Sequence, residues 1–475
     1  MKLGQIRALA HRHAVMAVLL AAGVALRVAA HLAYPHAFFF PDSRGYVMES
    51  MTWTPSPIRP FGYSAFLKPF VPGDLIHVAA AQHLLALALA VGIYAYLIRR
   101  CVRPWIAALG VAPLLIGPSE LILEHFVLAE TLFTALLAAG LIAVTLARRG
   151  RVLAAASAGL LLALAALTRS VGLPICLVGG AYLLLGLRRL GWRPLLAYGA
   201  ALAIPLAGYL AWYHHERGVY AFGEYQGRFL YARVMTIADC ERLTLPEPER
   251  RLCTPDDPTQ RPTRIDSYVW SPDSPARRFY PGVADDGTLG SFARQVITNQ
   301  PAGYAAMVLR ETLWHFAPVW RPQDPANTCH DQRWLPAIRA GVGCAPPYYP
   351  PTANPADRPA QLPGHATVAS TALTGYGRSQ LAYGPLAGMA LVWIVVATVI
   401  GRRRGSREAL LFGTAGLVLI ITSVATSMFE VRYALPALPL IAMGAALATR
   451  FLTSRAVPAQ VSRAAQPAGS ESLHG

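Results

Sequence analysis

Long apolar stretches, separated by short basic or polar connections, dominate most of the chain. A helix needs about 20 mostly apolar residues to cross a bilayer, and several stretches reach that length. Some contain proline, which membrane helices tolerate because neighbouring groups satisfy the freed backbone atoms. We therefore predict ten membrane helices, near residues 14–33, 76–98, 104–119, 126–147, 152–168, 171–187, 194–213, 383–400, 408–428 and 434–452.

The composition agrees with a multi-span membrane protein. Only 14% of the residues are charged and 54% are hydrophobic, whereas soluble proteins carry about 25% charged residues. The first apolar stretch follows a basic N-terminus, as in a signal peptide, but it is about 20 residues long and more spans follow it. We interpret it as a retained first helix. The abundance of Ala, Leu, Arg, Gly and Pro is typical of a high-GC bacterial genome.

The formal net charge of +17 does not indicate nucleic-acid binding, because the basic residues form short clusters between apolar stretches and no basic stripe interleaved with aromatics is present. With the N-terminus inside, nineteen Lys and Arg fall in the inner connections and five in the short outer ones. Basic residues favour the cytoplasmic side, so both termini are predicted to be cytoplasmic. The five outer basic residues are Arg44, Arg59, Lys68, Arg169 and Arg432.

This orientation leaves two large outer segments. The first is rich in aromatics and proline and is expected to lie along the membrane surface. The second is polar and proline-rich, and we expect a loop-rich outer domain with one or two helices. The predicted units are an N-terminal catalytic module (1–213) with its outer loop (34–75), the outer domain (214–382), C-terminal membrane helices (383–452) and a disordered cytoplasmic tail (453–475).

Four of the six cysteines fall in the second outer segment. Outside the plasma membrane the environment is oxidising, so disulfides are expected there. Local pairing of Cys240 with Cys253 and of Cys329 with Cys344 would close loops of about 15 residues, each contributing about 3 kcal/mol. Sequence alone leaves the connectivity open. A Cys/His metal site is the weaker alternative, because CxxC spacing is absent.

Five short polar motifs lie at predicted outer helix ends, although they come from distant parts of the chain. Ionisable groups at a membrane are costly and usually functional, so their gathering on one face predicts a functional site. The motifs are PDSRGY (41–46), RPFGYSAF (59–66), EHFVLAETLF (124–133), TRSVGLP (168–174) and FEVRYALPALPL (429–440).

The carboxylates in these motifs also have purely structural interpretations. Asp42 could cap a helix that begins at Ser43. Glu130 could be a solvated loop acid or could lie at a helix N-terminus. For Glu124, the solvated loop acid is the interpretation that we favour.

The basic residues have structural interpretations as well. Arg169 could extend to the membrane interface, and Arg432 could form an ion pair with Glu430. Arg27 and His83 lie inside apolar stretches. We expect both of them to reach the interface or to pack, without a role in the chemistry.

One outer carboxylate with two or three outer arginines suits glycosyl transfer from a polyprenyl-phosphate sugar. The leaving phosphate is a weak base and needs no general acid, so one carboxylate suffices to take the proton from the attacking hydroxyl. Arginine binds phosphate through paired hydrogen bonds and stabilises charge as the bond to the sugar breaks. A single displacement inverts the anomeric centre.

The ordered motifs also resemble those of the bacterial GT-C fold glycosyltransferases related to protein O-mannosyltransferases and the lipid A aminoarabinose transferase. The stretch GRFLYARVMTIADC with its later cysteines is similar to an actinobacterial subset. The resemblance covers about 34–213 and 380–450. It implies an all-α integral membrane protein of the bacterial plasma membrane, with about ten transmembrane helices and a loop-rich extracytoplasmic segment.

The resemblance implies that Asp42 is the catalytic base and that Glu130 is a second catalytic carboxylate, near the outer start of the fourth helix. It implies phosphate-binding arginines at Arg169 and Arg432. Many relatives carry Asp-Glu where Asp42 is followed here by Ser43, so we predict no metal and no other cofactor. The predicted substrate-binding set is completed by Tyr46, Arg59, Tyr63 and Tyr433.

The predicted partners are a polyprenyl-phosphate sugar donor, an acceptor on a glycan, lipid or protein, and the lipid bilayer. A transporter or flippase of lipid-linked sugar would use the same groove and arginines without a base. A polymer ligase using an undecaprenyl-linked glycan would share the fold. The transporter is disfavoured because no inverted repeat is visible and the polar residues gather on one face, away from the middle of the membrane.

Overall fold

The computed structural model describes residues 3–147, 150–254, 261–262, 265–318, 367–377, 383–401 and 406–450. Within these ranges the regular structure is helical, and the β-structure amounts to one isolated bridge between Phe38 and Phe126. The prediction of an all-α protein is therefore confirmed for this part of the chain.

The helices are numbered in chain order through the described ranges. Up to residue 217 they are α1 (Leu3–Ala33), α2 (Pro41–Thr52), α3 (Gly62–Leu67), α4 (Ile76–Arg99), α5 (Pro104–Ile116), α6 (Pro118–His125), α7 (Glu130–Ala147), α8 (Val152–Thr168), α9 (Leu173–Leu184), α10 (Leu187–Leu190) and α11 (Arg193–Arg217). Beyond it they are α12 (Gln226–Met235), α13 (Glu247–Arg250), α14 (Asp266–Val269), α15 (Pro275–Phe279), α16 (Asp286–Asn299), α17 (Pro301–Trp314), α18 (Val368–Gly377), α19 (Tyr383–Gly401), α20 (Ser406–Thr426), α21 (Val431–Ala434) and α22 (Ala437–Ala448).

Several helices have the length and apolar character of membrane spans. Among the residues described, seven qualify, and the bent pair of α5 and α6 makes an eighth if it is counted as one span. Helix α8 and the segment Ser170–Leu184 are apolar but shorter. Every predicted segment thus contains a helix, but only seven or eight of the ten predicted spans are supported. The seven are His11–Ala33, Ile76–Arg99, Glu130–Ala147, Arg193–Arg217, Tyr383–Ile400, Arg407–Thr426 and Val431–Ala448.

The predicted helices at 104–119 and 126–147 each differ from the structure at one end. Helix α5 ends at Ile116, and α6 starts at Pro118 with its axis bent by 45°. Gly117 between them is extended, with φ −68° and ψ 121°, as the residue before a proline prefers. Helix α7 begins only at Glu130, because the backbone of Phe126 pairs with that of Phe38.

Glycines allow the membrane helices to approach closely. A Cβ on Gly159 of α8 would lie 2.2 Å from the carbonyl oxygen of Tyr198 on α11, and one on Gly140 of α7 would lie 2.8 Å from the side chain of Leu162. Small residues of this kind let helix backbones pack where lipid offers no hydrophobic driving force. The packing holds the end of α8, and with it Arg169, in place.

The first outer segment folds against the helix bundle as α2 and α3. Tyr63 and Leu67 of α3 are fully buried. A Cβ on Gly62 would lie 2.6 Å from the carbonyl oxygen of Leu167 in α8, so glycine permits this contact. The outer segment that carries the PDSRGY motif is therefore anchored to the membrane helices.

The second outer segment has its own apolar core, around Val234, Leu289 and Phe292. Helices α16 and α17 match the one or two helices expected there, and short helices precede them. The predicted Cys240–Cys253 disulfide is confirmed, with a Cα–Cα distance of 5.9 Å. The predicted Cys329–Cys344 pair and the tail 453–475 lie outside the described residues.

We predict that Gly159→Ala lowers the thermal stability of the purified protein. The added methyl group would overlap the α11 backbone, and overpacking of this kind costs about 1–3 kcal/mol. Gly199→Ala on α11 is the matched control, because a methyl group there would enter open space, with no neighbouring segment within 4 Å, and alanine favours helix by about 1 kcal/mol. Equal melting temperatures for both variants in detergent would contradict the close α8–α11 contact.

Candidate active site

Two carboxylates and three guanidinium groups from distant motifs meet in one cluster. Arg59 Nη2 lies 3.1 Å from Asp42 Oδ1, and Arg432 Nη2 lies 2.9 Å from Asp42 Oδ2. Arg432 Nη1 also lies 3.4 Å from Glu130 Oε1, which in turn forms an ion pair with Arg169. Arg432 therefore bridges the two carboxylates.

Asp42 lies in the first turn of α2 but does not cap it. The helix begins at Pro41, two residues before the predicted start, and Ser43 Oγ accepts a hydrogen bond of 2.9 Å from the backbone N–H of Phe40. The capping interpretation of Asp42 is therefore wrong. Ser43 satisfies the helix start, and the Asp42 carboxylate is left for the two arginines.

A backbone contact sets the register between the two carboxylates. Phe38 N–H donates to the carbonyl of His125 at 2.8 Å, and Val127 N–H donates to the carbonyl of Phe38 at 2.9 Å. Phe38 lies four residues before Asp42, and Phe126 lies four residues before Glu130. Tying these segments together brings both carboxylates to the same place.

Glu130 is a buried ion-pair partner at the N-terminus of α7. It is 1% exposed, its Oε1 faces both Arg169 and Arg432, and its Oε2 has no hydrogen-bond partner. The interpretation as a solvated loop acid is therefore wrong. Arg169, in extended conformation just after α8, pairs with Glu130 and lies 5.0 Å from the Tyr433 ring centre, so it does not simply reach the interface.

Aromatic rings surround the guanidinium of Arg432, which is 6% exposed. It lies 4.1 Å from the ring centre of Phe40 and 4.9 Å from that of Tyr433. Cation–π contacts of this kind are strongest where the cation is desolvated. The interpretation of Arg432 as an ion-pair partner of Glu430 did not anticipate these aromatic contacts. Phe40 was not predicted as a site residue, although it directly precedes the PDSRGY motif.

Arg59, Tyr46 and Tyr63 form the other side of the cluster. The Arg59 guanidinium lies 4.5 Å from the Tyr46 ring centre, and the Tyr46 and Tyr63 rings meet edge to face at 4.8 Å. Burial raises the pKa of Tyr46 to about 12, so its hydroxyl keeps its proton. Tyr63 is fully buried and donates a hydrogen bond of 2.9 Å to Gln82, so it supports Tyr46 from behind.

Glu49 is a further carboxyl group that the sequence analysis missed. It follows Asp42 by seven residues and Tyr46 by three, which places all three on one face of α2. Its Oε2 accepts a hydrogen bond of 2.6 Å from Ser64, whereas its buried Oε1 has no partner. Burial raises the pKa of Glu49. The helical spacing in PDSRGYVMES was the signal that could have identified it.

The electrostatics differ between the two carboxyl groups of α2. Burial alone would raise the pKa of Asp42, but the charges of Arg59 and Arg432 outweigh it and hold the pKa well below its ordinary value. Asp42 is therefore ionised. Asp42 and Glu130 against three guanidinium groups leave one net positive charge among these five side chains, and Glu49 near Arg59 and Glu430 near Arg432 are further acidic neighbours.

The charged side chains of the site are arranged as ion pairs. Within the described ranges, no set of three or more His, Cys, Asp or Glu side chains could hold a metal ion. The carboxylates of Asp42 and Glu130 face guanidinium groups. The absence of a metal from the reaction stays a prediction.

A second buried charge cluster lies behind the site and was not predicted. Glu124 is 1% exposed and pairs with Arg27 and His83. The interpretation of Glu124 as a solvated loop acid is therefore wrong, because the bend at Gly117 turns α6 into the protein interior. Arg27 does not reach the interface either.

Comparisons with known proteins show a distant structural likeness. No family model matches the chain, and no curated protein matches it. Among solved structures, apo ArnT from Cupriavidus metallidurans is similar with 16% identity and a TM-score of 0.35, over 92% of this chain and 77% of that chain. This likeness is too distant to support a conclusion about function.

We predict that Asp42→Asn lowers the free energy of unfolding by about 1–3 kcal/mol, because it removes charged hydrogen bonds from two arginines. Because the pKa of Asp42 is lower in the folded protein, its ion pairs contribute their full stability above the ordinary aspartate pKa of about 3.9. This contribution is lost only as the pH falls through the lower pKa of the folded state. The difference in unfolding free energy between Asp42→Asn and the unsubstituted protein should thus persist from pH 7 to pH 4.

Thermal unfolding in detergent at several pH values measures this difference. Asp273→Asn is the control, because Asp273 is exposed. A difference that closes between pH 5 and pH 4 would show that the arginines do not hold the pKa of Asp42 below its ordinary range.

Proposed function

We propose that this protein is a GT-C-type membrane glycosyltransferase that moves a sugar from a polyprenyl-phosphate donor to an acceptor hydroxyl. The observation that carries the proposal is the cluster in which Arg432 bridges Asp42 and Glu130, beside Arg59 and Arg169. It combines a base with phosphate-binding groups at the ends of apolar helices. Those helices would supply the groove for a polyprenyl tail.

The charge of the cluster supports a monophosphate-linked donor. The five side chains that pair directly leave one positive charge in excess, and a phosphodiester between a sugar and a polyprenol carries one negative charge. Arg432 Nε has no hydrogen-bond partner in the structure, so this guanidinium retains a donor. Arginine suits phosphate because its planar donors match pairs of phosphate oxygens.

In the proposed mechanism, the donor phosphate competes with Asp42 for the same arginines. Arg59 and Arg432 each bind one oxygen of Asp42. These ion pairs make the Asp42 carboxylate a weak base as long as no donor is bound. A phosphate that takes over hydrogen bonds from these arginines would raise the pKa of Asp42 towards a value useful for general-base catalysis. The base would thus become effective only when a donor is bound.

The remaining steps follow from the chemistry of the leaving group. Asp42 takes the proton of the acceptor hydroxyl, the hydroxyl oxygen attacks the anomeric carbon, and the bond from that carbon to the phosphate oxygen breaks. The electron pair leaves on the phosphate, where Arg169 and Arg432 stabilise the charge. The configuration inverts because one displacement occurs. Glu130 orients both arginines and is shielded from solvent.

We predict that Asp42→Asn lowers the transfer rate by about 100- to 10,000-fold, the usual contribution of a general base, while donor binding persists. The donor is first identified by mass analysis of lipid-linked sugars that accumulate in a deletion strain. Transfer is then measured with purified protein and that donor, and binding with the matching polyprenyl phosphate. Asp273→Asn, far from the cluster in sequence and exposed, should transfer at the unsubstituted rate.

The same experiment separates the enzyme from a carrier. A flippase needs the arginines but no base. The carrier would be supported if Asp42→Asn moved lipid-linked sugar across vesicle membranes at the unsubstituted rate and the unsubstituted protein showed no transfer. A polymer ligase would retain the base and accept only an undecaprenyl-linked glycan as donor.

We predict that the site faces the extracytoplasmic side. In a background without free cysteines, Arg44→Cys should react with a membrane-impermeant maleimide in intact cells, and Arg151→Cys should react only after lysis. Both positions are exposed, so accessibility within the protein is matched. Labelling with the opposite pattern would place Asp42 in the cytosol and remove the proposed lipid-linked donor from its expected side.

A further inference from the structure

The buried cluster behind the site is centred on Arg27 of α1. Its guanidinium donates to both oxygens of Glu124, from Nε at 2.8 Å and from Nη2 at 2.5 Å. It also donates to the backbone carbonyls of Gly23 at 3.0 Å, Leu115 at 2.8 Å and Leu114 at 2.8 Å. One side chain thereby ties α1 to the end of α5 and to the end of α6.

Two histidines extend this cluster towards the site. His83 Nδ1 of α4 lies 2.8 Å from Glu124 Oε2, and His83 Nε2 lies 3.2 Å from His125 Nδ1. His125 Nε2 lies 3.0 Å from the carbonyl of Tyr34 and 3.1 Å from that of His36. Since carbonyls only accept, His125 Nε2 carries a proton. The chain of contacts ends on the segment that leads to Asp42.

Gln82 completes the connection to the backbone. Its amide Nε2 donates to the carbonyls of Glu124 at 2.9 Å and Phe126 at 2.7 Å, and its Oε1 accepts from Tyr63 at 2.9 Å. Arg27 of α1 and Gln82 of α4 therefore both stabilise the turn between α6 and α7 through hydrogen bonds. Glu130 follows this turn directly.

Buried ion pairs are seldom kept for stability, because apolar side chains of similar volume often stabilise as well or better. Here the polar groups do what apolar side chains cannot. Arg27 binds carbonyls at the end of α5, where the bend at Gly117 interrupts the helical hydrogen bonds, and His125 binds carbonyls of the irregular segment after α1. Buried carbonyls of this kind need a donor. Because this cluster supplies the donors, it fixes the positions of the end of α5 and of the segment after α1.

We propose that Glu124 is a positioning residue, which with Arg27 and His83 locks the turn before Glu130 against the segment before Asp42. It would act through the backbone bridge of Phe38 with His125 and Val127, and it would not touch the substrate. The kinetic part of this inference depends on the proposed glycosyl transfer, whereas the structural part does not.

The structural part is tested by hydrogen–deuterium exchange of the purified protein in lipid nanodiscs. Glu124→Gln keeps the size of the side chain but leaves Arg27 and His83 without their carboxylate. We expect loss of protection in peptides that contain the amides of Phe38 and Val127, while peptides of α20 keep theirs. Unchanged protection at both amides would overturn the proposal.

Glu408→Gln is the matched control. Glu408 pairs with Arg100 at 3.1 Å, just after the opposite end of α4, about 35 Å from the start of that helix by its rise per residue. Glu408→Gln removes the same charge from a partly buried cluster, in which Glu408 also lies 3.7 Å from Arg450, and it should leave the exchange of Phe38 and Val127 unchanged. If both variants deprotect these amides equally, the effect is general destabilisation and the proposal fails.

The kinetic part compares turnover with donor affinity. A misplacement of about 1 Å can lower the rate by about 100-fold, so Glu124→Gln should lower kcat by about that factor and change the donor KM little. Glu408→Gln should keep kcat. If the amides of Phe38 and Val127 lose exchange protection while kcat is unchanged, the positioning role is refuted. If the unsubstituted protein shows no transfer, only the proposed function is refuted.

A second variant keeps the test available if Glu124→Gln does not fold. Gln82→Leu retains volume, removes no charge and deletes both amide contacts to the carbonyls of Glu124 and Phe126, together with the acceptor of the Tyr63 hydroxyl. It should deprotect Val127 and lower kcat in the same direction. Full protection in this variant would show that the turn does not depend on these contacts.

Discussion

The site depends on the placement of one buried cation between two anions. Arg432 reaches Asp42 across 390 positions of sequence and Glu130 across 302. A buried guanidinium without a carboxylate costs several kcal/mol, so the C-terminal helices must dock on the N-terminal ones in a way that completes this contact. The rings of Phe40 and Tyr433 exclude water around it and strengthen the attraction. The charges of the site thereby also join the two parts of the membrane region.

Charge attraction alone would allow many arrangements, and neutral backbone contacts select one. The bridge of Phe38 with His125 and Val127 fixes two irregular segments, each of which leads to a site carboxylate within a few residues. The bend at Gly117 makes this possible, because it directs α6 back towards the segment after α1. The irregular backbone lies where side chains can satisfy it, the condition for non-helical structure at membrane depth.

Much of this site could be predicted from sequence because polar residues stand out in an apolar chain. Asp42, Glu130, Arg169 and Arg432 each border an apolar stretch, and positive-inside topology assigns them to one face. Glu124 could not be assigned in this way. It follows an apolar segment just as a loop residue would, and only the break before Pro118, with partners 41 and 97 positions away, shows that it is buried.

The contact that organises the site also restrains its chemistry. A carboxylate with a cation on each oxygen holds protons poorly, and a base of that kind gains little from proton transfer in the transition state. The proposed phosphodiester donor would bring one negative charge to the five paired side chains, and it would draw on the same guanidinium donors. In the proposed mechanism, donor binding and base strength would be coupled through this shared set of arginines, so we expect the donor to bind before the acceptor.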